Sequence, residues 1–76
     1  MRYETPDGNV IVGETATEIV SGLREEKFEP GHRDLAAYRR ATANRAKDLY
    51  GAEIDYTSDE TFLETLTEAK LIRPLD

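Results

Sequence analysis

The chain has 76 residues with no cysteine and no tryptophan, and its net charge is −6. This length leaves room for one small domain, and without thiols neither a disulfide nor a thiolate metal site can stiffen it. A pI near 4.7 sets the long-range field against nucleic acid, and no apolar run suits an export signal or a membrane span, so a cytoplasmic protein is expected.

Residues 2–12 read as a β-hairpin. Arg2-Tyr3-Glu4-Thr5 and Val10-Ile11-Val12 flank Pro6-Asp7-Gly8-Asn9, in which Asp and Gly supply turn conformations and Pro presets one dihedral. Gly13 then breaks the strand. Thr15-Ala16-Thr17-Glu18 has the spacing of a capping box, and predicts a helix over 15–26. Ala16, Ile19, Val20 and Leu23 share one face of it, whereas Glu18, Ser21 and Glu25 point away. Phe28 is placed to plug the end of that core, and Glu29-Pro30-Gly31 is a breaker.

The longest element is expected over 32–50, ending at Gly51, the residue preferred just past a helix end. Leu35, Tyr38, Thr42, Ala46 and Leu49 should face the core. Ala52 to Tyr56 carries Ile54 and Tyr56 at strand alternation, either a short third strand or an extended connector. Thr57 or Ser58 caps a helix over 58–70, with Asp59 and Glu60 in its first turn, where the helix dipole favours acids. Phe62, Leu63, Leu66 and Ala69 form its buried stripe, and Leu71-Ile72-Arg73-Pro74-Leu75 can dock on the hairpin or pair with it.

The fold class expected is therefore α+β, an N-terminal hairpin packed on three helices in one domain over 1–76. Three helices and a hairpin match winged-helix domains in element count, but here the hairpin comes first, so no family resemblance follows. Leu, Ile, Val, Phe, Met and Tyr supply only 21 side chains. That is a thin core for a chain this short, which buries roughly 60–65% of its unfolded surface.

Charge is spread unevenly. Residues 32–47 carry Arg33, Arg39, Arg40, Arg45 and Lys47 against Asp34 alone, whereas residues 48–69 hold seven acids and no base. Arg33, Arg40 and Lys47 recur at seven-residue spacing with Asn44 between them, a basic stripe opposite the core face. Arg39 and Arg45 flank the seam, with heads that reach water or an acid. Glu60, Glu64 and Glu68 make an acidic stripe on the third helix. Like charges four residues apart cost roughly 0.2–0.5 kcal/mol per pair, so helix stability alone does not select that pattern.

Catalysis is not expected. The single histidine, His32, stands beside Arg33 at a helix start, and the chain has neither a nucleophile elbow nor a glycine-rich phosphate loop. Asp55, Thr57 and Asp59 mimic the start of a calcium loop, but Glu60 stands where a glycine is required and Leu66 where the bidentate glutamate belongs. No catalytic residue, metal ligand or cofactor site is assigned. The expected function is non-catalytic interaction or regulation through charged helix faces, toward a protein partner or a second copy. Arg33, Arg40, Lys47, Glu60, Glu64, Glu68 and Tyr50 are the contact candidates. The alternative is nucleic-acid binding by the basic face of residues 32–50, with Tyr38 and Asn44 in the same element.

Overall fold

The computed structural model describes residues 1–26 and 34–75. Its elements are β1 (Arg2–Glu4), β2 (Val10–Val12), α1 (Ala16–Glu26), α2 (Leu35–Tyr50), α3 (Asp59–Glu68) and β3 (Arg73–Pro74). The three strands form one antiparallel sheet in the order β2-β1-β3. The fold is α+β: α1 packs against the sheet at β2, and α2 and α3 pack on α1.

The hairpin forms where its turn residues require it. Thr5 N donates to Asn9 O at 2.9 Å and Gly8 N to Thr5 O at 2.9 Å, so the turn closes across Pro6 to Gly8. Arg2 pairs with Val12, Tyr3 with Ile11 and Glu4 with Val10. The charged N-terminal amine extends the ladder by donating to Gly13 O at 2.8 Å.

Each helix is entered through a side-chain cap that satisfies amides without a partner in the first turn. At α1, Thr15 Oγ1 accepts from Glu18 N at 3.2 Å, and the Glu18 carboxylate accepts from Glu14 N at 2.9 Å. The box expected at Thr15 is thus present, with the glutamate reaching one residue further back. At α2 the cap is Asp34, in extended geometry, with Oδ1 accepting from Ala37 N at 2.7 Å. The helix therefore begins at Leu35 rather than at residue 32. Phe28, His32 and Arg33, to which the sequence reading gave roles, lie outside the described residues. At α3, Ser58 is the cap and exchanges hydrogen bonds with Thr61.

Two helices end through a left-handed residue that turns the chain back on the core. At the end of α2 this is Gly51, φ +69°, whose amide donates to Lys47 O. At the end of α3 it is Lys70, φ +62°, with Lys70 N donating to Thr67 O and Leu71 N to Leu66 O. That bond pattern is a Schellman motif, here without its usual glycine. It directs Ile72 into the core and brings Arg73 and Pro74 alongside β1. The C-terminal tail therefore pairs with the hairpin, one of the two outcomes expected for it.

The third strand is β3 rather than residues 52–56. In that stretch main-chain groups are taken locally: Ala52 N donates to Ala46 O at 3.3 Å and Asp55 N to Thr65 Oγ1 at 3.1 Å. The Asp55 carboxylate accepts from both the amide and the hydroxyl of Thr57, a turn that competes with strand pairing. Ile54 is buried nonetheless, so the connector is pinned by one apolar side chain.

The core is centred on Phe62, Ile19 and Val20, each fully buried. Around them lie Leu23, Tyr38, Ala43, Ala46, Ile54, Leu63, Leu66 and Ile72. The Tyr38 ring meets Phe62 edge-on, with centroids 6.1 Å apart and planes at 70°, a favoured aromatic geometry. One expectation fails here: Leu49 is 65% exposed, at the border of a shallow groove that it shares with Leu23, Leu66 and Ile72. Ala43 takes its place on the buried side.

Helix α1 lies close under β2 because Gly22 has no side chain. A Cβ there would stand 2.5 Å from Ile11 Cγ2, well inside contact distance. Gly22→Ala gains roughly 1 kcal/mol of helix propensity but costs about 1–3 kcal/mol in overpacking. The expected result is a net loss of about 1 kcal/mol in urea unfolding; a gain in stability would contradict this account of the close approach.

Candidate functional site

The acidic stripe is built by α3. Its Ser58 cap and the Phe62, Leu63, Leu66 face fix the helix rotation, and Glu60, Glu64 and Glu68 are left exposed. They span about 12 Å along the axis at 1.5 Å per residue. Among the described residues none of the three holds a cation. By contrast Glu4 is bound by Arg73, Glu53 lies 3.7 Å from Lys47, and Asp59 is bound by Arg39.

The basic stripe is less available. Arg40 and Asn44 are exposed on α2 one turn apart, and Arg40 forms no ion pair among the described residues. Lys47 is drawn to Glu53 across an exposed pair, and such pairs contribute little. Tyr38, whose ring a nucleobase would need on the surface, is buried.

Arg39 has a structural role that its position beside the seam only hinted at. Its guanidinium binds Asp59 Oδ1 and donates through Nε to Tyr56 O at 3.2 Å. Asp59 Oδ2 also accepts from Thr17 Oγ1 at 2.6 Å. Thr17 in α1, Arg39 in α2 and Asp59 at the start of α3 are thereby clipped together, with the Arg39 and Asp59 side chains only 14% and 12% exposed. Asp55, nearby in sequence, is exposed, and the hydroxyl and then the amide of Thr57 hold its carboxyl below the usual carboxylate range.

Tyr50, the aromatic candidate, is 69% exposed at the end of α2. With Leu49 it borders a shallow groove of about 180 Å³ floored by Leu23, Tyr38, Leu66 and Ile72. Glu26 stands at the other rim, with one carboxylate oxygen accepting from Asn9 Nδ2 at 2.9 Å and the other buried with no hydrogen-bond partner among the described residues. Neither the groove nor Glu26 was marked by sequence reasoning, since no local pattern links residues 23, 49, 66 and 72. Among the described residues no three His, Cys, Asp or Glu side chains gather as metal ligands, and no helix is long and apolar enough to cross a membrane. Compared with known proteins, the chain matches no family model, no curated protein and no solved structure.

Proposed function

We propose that this chain is a non-catalytic interaction protein of the cytoplasm that offers the acidic face of α3 to a basic surface on a protein partner. One observation carries the reading: Glu60, Glu64 and Glu68 stand exposed in a row and hold no cation among the described residues. Their mutual repulsion opposes the helix. A cationic surface relieves it and gains on-rate and orientation from the complementary field. Arg40 and Lys47 add a smaller basic face on α2. The burial of Tyr38 and the engagement of Arg39 and Lys47 inside the chain favour a protein over a nucleic acid as the partner.

The test is charge reversal with quantitative capture from a cell extract, half of it treated with nuclease. Glu64→Lys with Glu68→Lys should remove the partners retained at low salt, and nuclease should leave that retention unchanged. The double reversal turns the Glu60–Glu64 repulsion into attraction and leaves positions 64 and 68 alike in charge, so the isolated variant should lose no stability, which separates a lost contact from a lost fold. Retention that survives reversal, or that disappears with nuclease, would overturn the reading.

A further inference from the structure

The two edges of the sheet are not alike. On the β3 side, Arg73 pairs with Glu4 and Leu75 N donates to Arg2 O at 2.9 Å. Pro74 is thus the residue whose nitrogen faces outward, and it has no proton to offer, a common guard on an exposed edge. On the β2 side, the bonds between Met1 and Gly13 and between Thr5 and Asn9 set the phase of the ladder. With Tyr3 paired to Ile11 in the same phase, the amides and carbonyls of Val10 and Val12 point away from β1. Among the described residues no proline interrupts this edge. Both valines are also exposed, Val10 at 49% and Val12 at 68%.

This edge is seated on α1 and flanked by acids. Ile11 is seated over Gly22, Gly13 lies against Glu18, and Asn9 is bonded to Glu26, so β2 runs along the 18-22-26 ridge of α1. Helical periodicity then places Glu18, Ser21 and Glu25 on the flank of α1 just beyond β2, away from the core. Glu18 and Glu25 are exposed. A strand added at this edge would lie with one set of side chains beside Val10 and Val12 and the alternate set above those carboxylates.

We propose that β2 is a docking edge for an extended segment of another protein in which β-branched apolar residues alternate with lysine or arginine. Pairing with Val10 and Val12 supplies four main-chain hydrogen bonds, and the alternation supplies specificity. A second copy of this chain is the poorer occupant. Antiparallel pairing about Ile11 would set Glu18 and Glu25 of one α1 against Glu25 and Glu18 of the other. The inference uses a different surface from α3, and it stands or falls without it.

The experiment titrates the isotope-labelled chain with a capped peptide of alternating lysine and valine, following backbone amides by NMR. The amides of Val10 and Val12 should shift and gain protection from hydrogen exchange, while that of Ile11, already bonded to Tyr3, changes little. Val12→Pro removes an outward donor and no internal bond, and should weaken binding at least roughly tenfold. If that variant does not fold, Glu25→Lys, an exposed change, should weaken binding several-fold and flatten its salt dependence. Glu64→Lys should have no effect, which separates this edge from the α3 reading. Equal binding of a glutamate-valine peptide, unchanged binding in both edge variants, or a dimer of the chain that occupies the edge would each overturn the proposal.

Discussion

Phe62→Ala should remove most of the stability of this domain. Phe62 is fully buried at the meeting point of the helices and contacts Tyr38 edge-on, so truncation leaves a cavity that a thin core cannot refill. Buried Phe→Ala changes cost about 3–5 kcal/mol, and small domains hold only about 5 kcal/mol or a little more. Urea unfolding should show a midpoint near zero denaturant, or no cooperative transition. A loss below about 1.5 kcal/mol would mean that Phe62 is not the centre of the core. Phe62→Leu keeps the site apolar and should cost about half as much.

Asp59→Ala is expected to come second, at about 3 kcal/mol, because it strands the largely buried guanidinium of Arg39. The same change removes the acceptor for Thr17 and an acid from the first turn of α3. The informative comparison is the double variant. Adding Arg39→Met to Asp59→Ala removes the stranded charge and leaves an apolar stem in its place. The pair should therefore be more stable than Asp59→Ala alone, by roughly 1 kcal/mol or more. If the two losses simply add, the clip between the helices is not an electrostatic unit.

Local chemistry explains which parts of the fold are legible in the residues. Pro6-Asp7-Gly8-Asn9 forms its turn, Thr15 and Ser58 cap helices, and Gly51 ends α2 in the left-handed region, since each signal acts within about four residues. The readings that stay open or fail are those where distant groups compete for the same backbone or the same face. Residues 52–56 alternate like a strand, but Asp55 and Thr57 close a turn on each other while Arg73 and Pro74, almost seventy residues from β1, take the pairing. Leu49 falls on the apolar side of its wheel, yet it borders a groove that is left open to solvent. A wheel gives a direction and carries no information about how closely the neighbouring elements approach.

The candidate surfaces divide in the same way. The carboxylates of Glu60, Glu64 and Glu68 could be placed outward from helical spacing alone, and they are exposed. Arg39 could be placed only beside the seam, since its acid, Asp59, lies twenty residues on and in another helix. The openness of β2 depends on hydrogen-bond phase and on which strand joins the far side of β1. Neither is encoded in the composition of Val10-Ile11-Val12, which reads the same in a central strand as at an edge.

The acidic surfaces of this chain are proposed to serve a different protein rather than a second copy. Sedimentation of the purified chain over a tenfold concentration range, at low and at high salt, tests it most directly. A monomer is expected throughout, because Glu18 and Glu25 would repel their counterparts across β2 and because α2 offers the carboxylates of α3 few uncommitted cations. A dimer that dissociates as salt is raised would contradict it, since the charged faces would then be satisfying each other.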